Sequence, residues 1–209
     1  MKKIYILIVT TLLLAGTATA QNRFDATVFG GINLNQIDGD DAGGFGQMGL
    51  RGGVGTSFSI GHDAQSPWRM VVELAYSQRG SSINNGSIQR DITLNYVELP
   101  LMMSYTLLNN KLRLSAGVAP AVQVGARVID GNGIRNSEQE SKYTRFDWLP
   151  VVVSARYMVS YHLAVELRYQ TSMLSIYDHP SSGTYRLWRE NKGAFNRSLS
   201  IGLSYSFLN

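Results

Sequence analysis

Apolar and polar residues alternate with a period of two along most of this chain, the signature of strands with one face in each of two environments. A first segment puts Phe24, Ala26, Val28, Gly30, Ile32 and Leu34 on one face, against Asp25, Thr27, Phe29, Gly31, Asn33 and Asn35. A second opposes Met48, Leu50, Val54, Phe58 and Ile60 to Gln47, Arg51, Ser57 and Ser59, with Gly49, Gly53 and Gly55 on the polar side. A third sets Trp68, Met70, Val72, Leu74 and Tyr76 against Arg69, Glu73, Ser77 and Arg79. Further segments follow from Leu112 to Val128, from Arg145 to Tyr157 and from Leu163 to Gln170, and the chain stops on a last one, "SLSIGLSYSFLN".

The fourth segment changes face. Ile92, Leu94 and Tyr96 are apolar at even positions, and Val97, Leu99, Leu101, Met103 and Tyr105 at odd ones. A one-residue switch of this kind predicts a β-bulge near Tyr96 and Val97.

The links alternate too. Long polar stretches cover residues 36–45, 80–90, 129–142 and 175–194, whereas 61–67, 108–110 and 158–161 are short. Long loops at one end and tight turns at the other are the plan of an all-β fold, an eight-stranded antiparallel up-and-down transmembrane β-barrel. Closure gives the terminal strand a neighbour on both edges. The charges fall on the polar face: Arg51, Arg69, Glu73, Arg79, Glu98, Arg113, Arg127, Arg156, Glu166 and Arg168. The apolar face lacks charge over most of each strand, as lipid demands, since a lipid-facing arginine at mid-bilayer costs roughly 2–4 kcal/mol. The competing reading is a secreted sandwich or lipocalin-like barrel with the opposite polarity.

Composition sharpens this picture. Only 16% of the 209 residues are charged and cysteine is absent, which removes disulfides and thiolate metal sites. "MKKIYILIVTTLLLAGTATA" combines Lys2 and Lys3, an apolar run and Ala18-Thr19-Ala20, a cleavable secretory signal over residues 1–20 with the barrel domain over 21–209. An uncleaved anchor is the alternative. Without those lysines the formal charge drops from +4 to +2, and no Lys/Arg cluster supports a nucleic-acid partner.

An eight-stranded barrel is filled by its own side chains. Glu73, Glu98 and Glu166 are therefore expected to pair inside with Arg51, Arg69, Arg113, Arg156 and Arg168, either as a plug or along a narrow solute or proton path. Counting from the turns brings Pro100, Pro120 and Pro150 to one level on three adjacent strands, a band of weakened pairing beside the bulge. The histidines are His62, His162 and His179; Asp178-His179 in an outer loop is the one candidate for a lipid-directed or proteolytic enzyme, and it lacks a partner at defined spacing. "DGDDAGG" has the composition of a calcium loop without its ligand spacing. No catalytic residue, cofactor or metal is expected. The reading is a non-enzymatic role in envelope structure, adhesion or complex formation, with a small-solute pore as the alternative.

Two stretches resemble known outer-membrane proteins. "SIGLSYSF" is similar to the terminal sorting strand of bacterial barrels, with Ser200, Gly202, Tyr205 and Phe207 filling the pattern and Leu208 and Asn209 extending past it. The resemblance implies recognition by the barrel-assembly machinery. "ITLNYVELPLMMSY", with "ELAYSQRGSS" before it and "LRLSAGVAPAV" after it, resembles the PorT-like family of porin-family outer-membrane β-barrel proteins of the Bacteroidetes type. That likeness implies an eight-stranded barrel in outer-membrane lipid, with other envelope or secretion proteins as partners, since the namesake branch serves a protein-secretion system.

Overall fold

The computed structural model describes residues 24–39, 44–60, 66–84, 89–177 and 193–207. The signal sequence, His62, Asp178, His179 and the centre of the acidic loop lie outside these residues. Among the described residues eleven strands form: β1 (Phe24–Asp38), β2 (Gln47–Ser59), β3 (Trp68–Asn84), β4 (Gln89–Glu98), β5 (Leu101–Leu107), β6 (Leu112–Val118), β7 (Ala121–Ile129), β8 (Phe146–Asp147), β9 (Pro150–Met158), β10 (Leu163–Ser172) and β11 (Phe195–Ser206). β4 and β5, β6 and β7, and β8 and β9 are three staves, each interrupted beside a proline. The wall is thus an antiparallel barrel of eight staves, closed by the β2–β3 pairing. Terminal β11 is hydrogen-bonded on both edges, to β10 and to β1, with Val28 opposite Tyr205 and Gly31 opposite Gly202.

Within the middle of the wall the two faces separate by polarity. Leu50, Val54, Leu74, Leu99, Met103, Leu114, Val153, Leu167, Ile201 and Leu203 are exposed on the outside. Arg51, Glu73, Glu98, Arg156, Glu166 and Arg168 are buried inside. A water-soluble chain does not carry an apolar belt of that extent. Aromatic side chains gather near the end that bears both termini: Phe24 lies 5.6 Å from Phe58 and Trp68 lies 4.8 Å from Tyr105, ring centre to ring centre. Toward the other end Phe146 stacks on Trp148 at 4.9 Å, with both exposed. Two such girdles mark the edges of a hydrocarbon layer.

Above the second girdle the polarity reverses. The stretch 80–90, expected as a loop, is mostly strand, because β3 runs to Asn84 and β4 begins at Gln89. Here Ile92, Leu94, Tyr96 and Val128 point inward and are fully buried, whereas Arg127 is exposed on the outside. The sheet continues past the lipid as a water-soluble one would, apolar in and polar out.

This reversal corrects the expected face switch. β4 keeps one parity throughout, with Ile92, Leu94, Tyr96 and Glu98 all inward; what changes is the chemistry of the interior. A register slip does lie between Asn95 and Tyr96, but its extra residue belongs to β7, where Tyr96 pairs with Gln123 and Asn95 with Gly125, leaving out Val124. That bulge turns Arg127 out of the lumen and Val128 into it.

The three prolines occupy successive pairs of one hydrogen-bond row. Glu73 N–H donates to the Pro100 carbonyl, Leu99 N–H to that of Pro120 and Ala119 N–H to that of Pro150, each at 2.9 Å. The return bond in every pair would need an N–H that proline lacks. Pro100 lies beside Ala119 and Pro120 as counting from the turn places it, with Leu101 paired to Val118, whereas Pro150 faces Ala119 rather than Ala121, two residues from the expected position.

Candidate functional site: the filled lumen

Among the described residues four arginines and four carboxylates form a connected network across the interior. Glu73 accepts from Arg51 at 2.9 Å, Arg168 at 2.7 Å and Arg156 at 3.3 Å. Glu166 accepts from Arg168 Nε at 2.8 Å and from Arg156 Nε at 3.0 Å. Glu98 pairs with Arg79 and accepts from Gln170 at 3.2 Å. Asp147 lies 3.3 Å from Arg79 and also accepts from Ser172. The charges cancel, so each ion is matched without bulk water.

Room for these side chains comes from β2. A Cβ on Gly55 would stand 2.9 Å from Glu73 Cγ, and one on Gly53 2.9 Å from the Phe29 ring. Phe29 points inward although apolar, and the Arg51 guanidinium lies over it, 4.3 Å from the ring centre. Arg79 lies over Tyr96 in the same way at 4.9 Å.

Directly beyond Tyr96 the interior becomes apolar. Ile37, Ile92, Leu94, Tyr96, Ala121, Val128, Ile176 and Ala194 form one buried cluster, with Tyr143 and Tyr177 packed against it. This cap draws on β1, β4, β7, the segment after β10 and Ala194, which immediately precedes β11. The β7–β8 connection leans on the rim through α1 (Ser137–Glu140), where Glu140 Oε1 accepts from Val128 N–H at 3.1 Å and from Arg135 Nε at 2.8 Å.

The expected network members divide into two groups. Arg51, Glu73, Glu98, Arg156, Glu166 and Arg168 are brought together. Arg69 and Arg113 are not; they stand near the end that bears the termini, where Arg113 lies 3.9 Å from Asp25 and Arg69 bonds Ser57 and Ser59 at 3.1 and 3.0 Å. Their strands carry them several residues below Glu73, out of reach of its carboxylate.

Asp147 was not foreseen, for a definite reason. Ala121 pairs with Asp147 while Ala119 bonds Pro150, so two steps on one strand face three on the other. Strict alternation from Ser154 and Val152 would put Asp147 outside; the extra residue brings it in. Only Pro150 hinted at that irregularity.

Of the terminal-strand residues, Ser200 is buried in the lumen, and Tyr205 and Phe207 are exposed on the outer wall with rings 5.2 Å apart. His162 stacks on Tyr205 at 5.6 Å, and its Nδ1 lies 3.0 Å from the Ser206 carbonyl. Among the described residues no group of His, Cys, Asp and Glu has metal-binding geometry, and no helix is long and apolar enough to cross a membrane.

The sequence matches the family model for the outer membrane protein beta-barrel domain over residues 19–178. No curated protein matches it. Among solved structures, Ail of Yersinia pestis is similar, with a TM-score of 0.49 at 10% identity over 88% of this chain and 99% of that one. Neisserial surface protein A gives 0.48 at 11% identity over 88% and 97%. OprG of Pseudomonas aeruginosa gives 0.39 at 14% identity over 90% and 97%. Values this low carry no ligand or role from those proteins to this chain.

Proposed function

We propose a non-enzymatic structural or interaction role in the cell envelope for this chain, which belongs to the outer membrane protein beta-barrel domain family and is an outer-membrane β-barrel. The observation that carries this reading is the double closure of the lumen. Among the described residues a charge-neutral network spans its middle, and a buried apolar cluster caps it. A solute crossing the barrel would have to break both, and each is fully buried. The alternative of a narrow porin finds no support in that interior.

On this reading residues 1–20 are a signal cleaved before Gln21, both termini lie in the periplasm, and the extension built on β3, β4 and β7 stands outside the cell. Ser200, Gly202, Tyr205 and Phe207 present the sorting strand to the barrel-assembly machinery. Partners are other envelope proteins, and membership of the PorT-like branch would make the barrel an accessory of a secretion complex.

Conductance tests the central point. The full mature chain, reconstituted into planar bilayers, is expected to give no stable open level. Discrete channels that persist across preparations, and that change selectivity when Glu98 is replaced, would overturn the sealed-barrel reading in favour of a pore.

A further inference from the structure

Directly above the girdle of Phe146 and Trp148, the outer wall presents two arginines without a counter-ion among the described residues. Arg145 is exposed, and its carbonyl accepts from Gln123 N–H, one residue beyond the pair of Val122 with Phe146. Arg127 is exposed on the outer face of β7, opposite Thr93. Gln123 lies opposite Tyr96, so three rungs separate the two levels, about 10 Å along the strand. Among the described residues neither arginine side chain forms an ion pair or a hydrogen bond. Glu140 feels Arg127 through space, but its oxygens are taken by Arg135 at 2.8 and 2.9 Å and by Val128 N–H at 3.1 Å. Lys142, by contrast, has Glu138 at 3.5 Å.

Their height is that of lipid headgroups. Phe146 and Trp148, stacked and exposed, mark where the hydrocarbon ends. The headgroup layer adds about 5–7 Å on each side of that core. At the strand tilt of about 35–45° usual for such barrels, three rungs climb about 7–8 Å, which puts Arg145 at the base of the layer and Arg127 at its upper edge. Between the two arginines the bulge residue Val124 is 59% exposed. An apolar side chain between two cations, above a pair of exposed rings, suits an amphipathic molecule better than bulk water.

We propose that Arg127 and Arg145 hold the phosphates of one bis-phosphorylated lipid in the leaflet at this end of the barrel. A guanidinium pairs with a phosphate through two parallel N–H donors, which a lysine does not reproduce. The backbone under both residues is fixed, since β7 is paired to β4 and Arg145 is bonded to Gln123. Their spacing is therefore preset, and about 10 Å between levels fits two phosphates on one headgroup rather than one phosphate shared by both. Phe146 and Trp148 receive the acyl chains below. The occupant is a lipid rather than a free ion, because two open, separated cations are screened from a small anion by salt, whereas a lipid is held at their level by its chains. The inference rests on the barrel standing in a bilayer and not on the sealed lumen, so a conducting barrel would leave it untouched.

The test is native mass spectrometry of the full mature chain in a nonionic detergent, titrated with bis-phosphorylated lipid A, its monophosphorylated form and phosphatidylcholine. One bis-phosphorylated molecule per chain should bind at least about tenfold more tightly than phosphatidylcholine, with the monophosphorylated form between them. Arg127→Gln and Arg145→Gln should each weaken it about fivefold and the double variant about 25-fold, the contribution expected of a basic residue at an anionic lipid surface. Lys142→Gln removes a charge that Glu138 already matches and should change binding by less than about twofold. Heat-modifiable gel mobility shows which variants are folded; if one arginine variant is not, the other decides. No preference for the bis-phosphorylated lipid, unchanged affinity in a folded arginine variant, or an equal loss in Lys142→Gln overturns the proposal. Displacement of the lipid by sodium phosphate at equal phosphate concentration would mark a free-ion site and overturns it too.

Discussion

Replacing Glu73 by glutamine keeps the shape of the side chain and removes one charge from the centre of the lumen. Glu73 is the acceptor for three guanidinium groups, at 2.9, 3.3 and 2.7 Å, and its side chain is 1% exposed. In Glu73→Gln the network passes from neutral to one net positive charge, and an amide NH2 is forced toward groups that are themselves only donors. Removing one partner of a buried ion pair typically costs about 3–5 kcal/mol, because the remaining charge stays desolvated. Against a typical stability of about 5–15 kcal/mol that is a large share. Glu138→Gln is the control: its pair with Lys142 is at 3.5 Å, with Glu138 86% exposed, and such pairs contribute about 0–1 kcal/mol. Equilibrium urea unfolding in lipid vesicles, followed by tryptophan fluorescence, measures both. Adding Arg168→Met to Glu73→Gln restores neutrality and should recover at least about 1 kcal/mol of the loss. A cost below about 1 kcal/mol for Glu73→Gln, or a double variant as destabilised as the sum of the singles, would refute the idea that charge matching organises the lumen.

Two further outcomes follow from the rim. Deleting Val124 removes the bulge while leaving Gln123, Ala126 and Val128 on their present faces, so the chain should fold with a loss within about 1 kcal/mol. Deleting Leu94 from the paired strand reverses Thr93 and Ile92 and should abolish folding; equal damage in the two, read as heat-modifiable gel mobility, would contradict the register described. Glu140 is held below the ordinary carboxylate range, chiefly by its hydrogen bond from Arg135. A depressed carboxylate stabilises the folded state above its unfolded pKa, and that stabilisation is lost as pH falls through the lower folded value. Amide exchange at Val128, whose N–H bonds Glu140, should therefore stay slow through the normal glutamate titration and quicken only at lower pH. Quickening already at mildly acid pH would show that the clasp is not ionic.

The membrane-spanning part of the wall was legible because lipid enforces the alternation residue by residue. Leu74 facing out and Glu73 facing in each satisfy a different solvent, and a reader needs only the parity. The extension past the lipid was not legible in that way. Ile92, Leu94 and Tyr96 look like lipid-facing residues displaced by one position, when they are a soluble-type core on an unbroken strand. Arg127 deceived in the opposite sense, since an extra residue in the strand reverses every assignment beyond it. The network centre followed from parity alone, whereas the separation of Arg69 and Arg113 from it depends on strand tilt and register, which no single segment encodes. Asp147 needed knowledge of an irregularity that its own stretch does not announce.

The irregularities share one wall, and that concentration has a physical consequence. The row through Pro100, Pro120 and Pro150 gives up three ladder bonds where β3, the two broken staves and β9 meet. In hydrocarbon a carbonyl without a partner is expensive, so the row must lie where something else holds the wall. On its inner side Val71, Met102, Ala119 and Val152 pack into a fully buried cluster, and next to it Glu98 and Asp147, from the first and last of the interrupted staves, both clasp Arg79. The interior thus ties together the strands that the prolines loosen. The same breaks allow the extra residue near Trp148, and without it Asp147 would face lipid and Arg79 would lose one of its two counter-ions. The prolines and the charge network are therefore one design: the backbone gives way where a side chain has to be turned inward, and the side chain so turned restores the cohesion of the wall.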